Sequence, residues 1–215
     1  MIAALEGAPG VGKSTLARAL KQVGVAIVAE ANRLFPRPAE EPADWYLDLQ
    51  NARWEIAAHA ERAGRIGLLD GDPLQPLWFG WLYPDEGWTP PETAAAFFMQ
   101  RVSAGRMRLP DRYLLIVCEN GERGRRLYGR EVAQGKDPAG AAAKVARYAP
   151  FAARQRRYFD ALVDRFPGWI STVDLTDMLG VADALALLRA PSTPPDSLEA
   201  LSFAADWLSS NPSRG

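Results

Sequence analysis

Histidine and cysteine are almost missing from this chain, with one of each, His59 and Cys118, in 215 residues. A lone cysteine excludes an internal disulfide and a four-cysteine zinc site, which suits a reducing compartment. A lone histidine with no cysteine beside it cannot anchor a metal cluster, so His59 reads as a solvated helical residue. Excess charge is missing too. Lys and Arg number 25 against 26 Asp and Glu, a net charge of -1, so composition gives no support for a nucleic-acid polymer as partner and any anion site must be local. No apolar run is long enough to span a bilayer, and the N-terminus leads straight into an apolar strand rather than a charged and then apolar leader. The expectation is a cytoplasmic protein without a membrane partner. No internal repeat is visible.

What the chain does have is apolar bulk and an early glycine loop. Hydrophobic residues make up 48%, enough for one substantial core. After the apolar run Ile2 to Leu5 comes Gly7-Ala8-Pro9-Gly10-Val11-Gly12-Lys13-Ser14-Thr15, followed by helix-compatible sequence from Leu16. Gly7, Gly12, Lys13 and Ser14 complete the pattern G-x-x-x-x-G-K-[ST] in the strand-then-helix setting it requires. A triphosphate is large and negative, so the backbone must curl round it with its N–H groups inward, which residues without a Cβ permit. The following helix adds the positive end of its dipole. Lys13 is expected to reach the β- and γ-phosphates of ATP and Ser14 to hold Mg2+. A glycine turn that merely joins a strand to a helix is the structural alternative.

Further apolar runs deliver carboxylates at their ends. Val25 to Ala29 is followed by Glu30, and Ile66 to Leu69 by Asp70-Gly71-Asp72-Pro73. In an open parallel sheet ligands bind outside the carboxyl ends of the strands, so these positions suit chemistry. Glu30 reads as a catalytic carboxylate or as a first-turn helix acid, and Asp70 or Asp72 as a magnesium-side acid or as turn residues. Phe35 to Asp44 reads as a loop, and Asp44 or Trp45 to Arg62 as a helix. Trp78, Phe79, Trp81, Tyr83 and Trp88 form an aromatic cluster suited to a flat ring or to core packing.

Tyr113 to Cys118 reads as the fourth strand, with Cys118 as a buried thiol. Beyond it lie Arg123, Arg125, Arg126 and Arg130, either a clamp on a transferring phosphoryl group or a surface helix paired with Glu122 and Glu131. Gly129, Gly135 and Gly140 supply hinge points for a lid over about 119–137. Ala139 to Phe166 is helical and expected to break at Pro150. Trp169 to Leu175 is a fifth strand and Met178 to Arg189 a closing helix. Residues 1–190 thus form one expected domain, and 191–215 a proline-rich hinge with an amphipathic helix, Leu198, Leu201, Ala205 and Leu208 on one side, that docks on the body or on a second subunit in a homodimer.

The stretch Leu5-Glu6-Gly7 through Leu16 resembles the opening of deoxynucleoside kinases and thymidylate kinases, in which a glutamate-glycine pair precedes the loop. Glu30-Ala31-Asn32-Arg33 is similar to the Glu-x-x-Arg of nicotinamide-riboside-kinase-type domains. The resemblance implies a three-layer α/β phosphate-loop fold with five parallel strands in the order 2-3-1-4-5, and ATP-dependent phosphorylation of a small acceptor, a nucleoside or nucleotide. It implies Glu30 as the base, Lys13 with Arg123 and Arg126 as the charges on the phosphoryl group, and ATP with Mg2+ as cofactors. The family's acid-arginine pair after strand three is not matched, because Asp70-Gly71-Asp72-Pro73 has no arginine. A regulatory switch ATPase and a kinase of a non-nucleoside hydroxyl compound stay open as alternatives.

Overall fold

The computed structural model describes residues 1–175 and 181–213. Five short apolar segments form one parallel sheet: β1 (Ile2–Glu6), β2 (Ala26–Val28), β3 (Gly67–Asp70), β4 (Arg112–Val117) and β5 (Ile170–Asp174). Their order is β2-β3-β1-β4-β5. All five residues of β1 are buried, as a central strand covered on both faces requires. Leu5 is in register with Asp70, Glu6 with Leu115, and Val28 with Leu69. The carboxyl ends of β1, β2 and β3 therefore meet at one edge.

The helices are α1 (Lys13–Gln22), α2 (Ala31–Leu34), α3 (Trp45–Arg62), α4 (Gln75–Leu82), α5 (Pro91–Ser103), α6 (Asn120–Ala133), α7 (Pro138–Arg165), α8 (Val181–Arg189) and α9 (Ser197–Ser210). Right-handed crossovers place α1 on one face, where it meets α8, and α3 on the other, against β1, β2 and β3. The close fit of α3 depends on Gly67, since a Cβ there would stand 2.5 Å from the Ala57 carbonyl oxygen. The core joins β1, β3 and β4 to Trp78, Phe98, Tyr158, Phe159 and Trp169.

Several boundaries differ from expectation. The long helix α7 runs unbroken over 28 residues with Pro150 inside it. A proline removes one N–H, and burial of Phe151, Gln155, Tyr158, Phe159 and Leu162 on the same helix holds the turns on either side. Residues 75–82, read only as an aromatic cluster, form α4, with Trp78 and Trp81 in the core. Cys118 lies just past β4 and is half-buried. The helix expected from Met178 is described from Val181, and Met178 lies outside the described residues. In α9 the buried side is Ala200, Leu201, Ala204 and Leu208, while Leu198 is exposed. The helix docks on α5 and α4 of the body, and Trp81 Nε1 donates to the Asn211 carbonyl at 2.5 Å. No helix among the described residues is long and apolar enough to cross a membrane.

Candidate active site

Gly7-Ala8-Pro9-Gly10-Val11-Gly12 connects β1 to α1, whose first residue is Lys13. Gly7, Gly10 and Gly12 all have positive φ, at 150°, 95° and 108°. A Cβ on Gly7 would also stand 2.3 Å from the Ile116 carbonyl oxygen, so the loop begins pressed against β4. Lys13 Nζ donates to the Gly7 carbonyl and lies folded across the loop. In the first turn of α1, Thr15 N donates to the Gly12 carbonyl at 3.0 Å, while the N–H groups of Lys13 and Ser14 have no backbone partner among the described residues.

Glu6, part of the glutamate-glycine pair, joins three separate segments. Its Oε1 accepts from Gly7 N at 2.7 Å and from Gln155 Nε2 at 3.0 Å, and its Oε2 accepts from Asp72 N at 2.8 Å. Burial pushes its carboxyl up to about 7, against the opposing pull of Lys13. The two aspartates of the third strand end part company. Asp72 is fully engaged: Oδ1 accepts from Leu74 N at 2.9 Å and Tyr113 OH at 2.8 Å, and Oδ2 from Trp78 Nε1 at 2.9 Å. Asp70 is buried, yet its Oδ1 has no hydrogen-bond partner among the described residues. Burial, reinforced by Glu30, raises its carboxyl above the ordinary value.

Glu30 is the N-cap residue of α2, but its side chain makes no capping hydrogen bond. It is half-exposed and stands beside Gly71, where a Cβ would be 3.9 Å both from Glu30 Cγ and from Arg53 Nη2. Arg53 was not singled out in the sequence. It occupies the buried stripe of α3 formed by Gln50, Arg53, Ala57 and Ala60, and two long polar residues at helical spacing within an alanine stripe were the available signal.

Arg123 and Arg126 both lie against the phosphate loop. Arg123 is buried, with Nη1 3.5 Å from the Pro9 carbonyl oxygen. Arg126 reaches the Val11 carbonyl at 3.4 Å and the Leu175 carbonyl at 3.1 Å, while Glu122 holds its Nε at 2.7 Å. The expected lid is a regular helix, α6, capped by Glu119, which accepts from Gly121 N and Glu122 N at 2.8 Å each. The ion-paired helix reading holds for Arg125, Arg126 and Arg130, which are paired with Glu122 and Glu131. Arg130, Lys136 and Lys144 converge on Glu131 and hold its carboxyl down to about 2.

Tyr46, within electrostatic range of Glu30, begins a chain of rings. Tyr46 and Trp88 lie 5.9 Å apart between centroids, Phe79 and Trp88 5.1 Å, and Phe79 and Phe151 5.8 Å. Tyr46 OH donates to Gln75 Oε1 at 2.7 Å. A cavity of about 410 Å3 flanks the edge strand β2, lined by Lys21, Ile27, His59 and Arg65 among others, and does not touch the phosphate loop. No group of three metal-ligating side chains occurs among the described residues. A magnesium ion here would take oxygens from phosphates and from one or two side chains, and the Asp70 Oδ1 without a partner fits that role.

The strand order and the loop between β1 and α1 define a three-layer α/β phosphate-loop fold of the kinase type. Similar solved structures include a deoxyadenosine kinase from M. mycoides with bound dATP, 18% identical, at a TM-score of 0.42, with 88% of this chain and 98% of that one covered. A thymidylate kinase from Candida albicans is 14% identical, at a TM-score of 0.47, with 87% and 88% covered. No protein-family model matches the sequence, and no curated protein does.

Proposed function

We propose that this chain is an ATP-dependent phosphotransferase acting on a small acceptor, a nucleoside or nucleotide. The observation that carries the reading is the meeting, at one sheet edge, of the phosphate loop with Lys13 and the carboxylates Glu30 and Asp70, one of them free of any cap and the other with an unpartnered oxygen. The nucleoside or nucleotide as acceptor rests on the sequence resemblance through Glu6-Gly7, the loop and Glu30, and the chain of rings formed by Tyr46, Phe79 and Trp88 is compatible with a flat base.

In this reading Lys13 and the loop N–H groups other than those of Gly7, Val11 and Thr15, which are bonded to Glu6, Ala8 and Gly12, hold the β- and γ-phosphates of ATP, with Ser14 and Asp70 on the magnesium side. Asp72 is left out of that set because both its oxygens are taken by Leu74, Tyr113 and Trp78. Glu30 accepts the proton of the acceptor hydroxyl as its oxygen bonds to the γ-phosphorus and the bridging P–O bond to ADP breaks. Arg123 and Arg126 add positive charge beside the loop. A screen of nucleosides, nucleotides and other hydroxylated compounds with labelled ATP tests the reading. ATP turnover that is equal with and without every acceptor would replace it with a switch-type ATPase.

A further inference from the structure

Arg53 is among the largest fully buried side chains of the protein, 2% exposed, and it has no carboxylate partner within ion-pair distance among the described residues. A buried charge is costly unless it is paired or fully hydrogen-bonded. Arg53 directs its donors to carbonyls: Nε to Ala29 O at 2.9 Å, and Nη2 to Asp70 O at 2.7 Å and Gly71 O at 3.0 Å. Gln50 Oε1 accepts from Nη1 at 2.5 Å, which fixes the plane of the guanidinium. Asp70 ends β3, Ala29 and Gly71 lie one residue beyond β2 and β3, and Ala29 immediately precedes Glu30.

The sheet holds the β3 side of this region, where Leu5 is in register with Asp70 and Gly71 N donates to the Leu5 carbonyl at 2.9 Å, but not the β2 side. The edge strand β2 has three residues, and its pairing with β3 ends at Val28 and Leu69. Beyond that point the guanidinium replaces the missing rungs. It also faces the two acids it aligns, Glu30 and Asp70, across Gly71.

We propose that Arg53 is a positioning residue for phosphoryl transfer, pinning the ends of β2 and β3 so that Glu30 and the free oxygen of Asp70 address the same point under a fixed positive charge. The assignment rests on the proposed phosphotransferase reading for its kinetic consequence, but not for its effect on metal binding. A lysine keeps the charge and loses the planar fork that reaches three carbonyls at once, so Arg53→Lys separates alignment from charge.

Four quantities are measured on wild type and Arg53→Lys: melting temperature, ATP affinity without divalent metal, Mn2+ uptake by the complex with a non-hydrolysable ATP analogue, followed by electron paramagnetic resonance, and kcat with the acceptor found in the screen. Metal-free ATP affinity, set by the loop, is expected to be unchanged. Mn2+ uptake is expected to weaken, and kcat to fall by about 10²-fold, as displacement of reacting groups by an ångström does. Wild-type kcat and Mn2+ uptake in the variant would overturn the proposal. So would a parallel loss of metal-free ATP affinity and melting temperature, the mark of a merely structural arginine. If Arg53→Lys does not fold, Gln50→Ala, which releases Nη1, carries the test, with the same pattern at smaller amplitude expected and wild-type behaviour overturning it. Absence of transfer to any acceptor by the wild type counts against the proposed function alone, and the Mn2+ measurement then decides the role of Arg53.

Discussion

Gln155 Nε2 donates to Glu6 Oε1 at 3.0 Å, tying the 28-residue helix α7 to the last residue of the central strand. The same carboxyl takes the N–H groups of Gly7 and Asp72, so one acid joins the start of the phosphate loop, the end of β3 and α7. Its charge is set by burial, with Lys13 opposing and Asp72 adding.

Glu6 gives the first prediction, on pH. Its folded pKa of about 7 lies above an ordinary value of 4.5, so the folded protein holds this proton more tightly than the unfolded chain. The resulting stabilisation is complete below pH 4.5 and is lost as pH rises through 7, a change of about 3 kcal/mol. Urea unfolding at pH 5 and pH 8 checks it, because Glu6→Gln should lose less stability than wild type over that interval. Equal losses in the two proteins would contradict the assignment. Glu131, held near 2 by its three cations, acts only at lower pH and does not enter this window.

Lys13→Ala should remove ATP binding from the loop. Loss of a charged hydrogen-bonding partner at a desolvated site costs about 2–5 kcal/mol, which corresponds to an affinity weakened by roughly 30-fold or more. Calorimetric titration with ATP reads this directly, and retained affinity would refute the loop as the nucleotide site.

Glu30→Gln should leave ATP affinity intact and lower phosphoryl transfer by about 10²–10⁴-fold, the usual share of a general base. Because the side chain makes no capping bond, the melting temperature should not move. Unchanged transfer would remove Glu30 from the reaction.

Asp70 and Asp72 should respond in opposite ways to the same substitution. Asp72→Asn places an amide where Tyr113, Trp78 and Leu74 all donate, and should cost about 1–3 kcal/mol of stability. Asp70→Asn removes a buried charge with an unpartnered oxygen, so stability should hold or rise while the Mg2+ concentration needed for half-maximal turnover increases. Thermal melts and a magnesium titration separate the two.

Much of this site was legible because one rule covers it: in a parallel sheet, the residue after each apolar run lands at the ligand edge. The loop motif gave the loop, and that rule pointed to Glu30 and to the pair Asp70 and Asp72, with only short-range information. It applies equally to Glu6, which was passed over because it was absorbed into the loop motif. Arg53 was hidden for a different reason. The sequence lacks an arginine after strand three, and the guanidinium that bonds Asp70 and Gly71 arrives from α3: helical spacing marks Arg53 as inward-facing, but tertiary packing decides which strand ends it meets. The choice between Asp70 and Asp72 was equally non-local, since it depends on Trp78 and on Tyr113 of β4. The unbroken path of α7 through Pro150 reflects burial overriding a local helix breaker.

The central position of β1 bears on how the chain acquires activity as it is made. Its hydrogen-bonding neighbours are β3, Gly67–Asp70, and β4, Arg112–Val117, and Gly7 is seated against Ile116. The glycine loop therefore has no scaffold until the chain through Val117 has been made. Such long-range pairing slows folding and leaves early apolar segments uncovered. Ligand capture consequently waits on a distant strand, and nascent chains arrested before β4 should be unable to retain ATP.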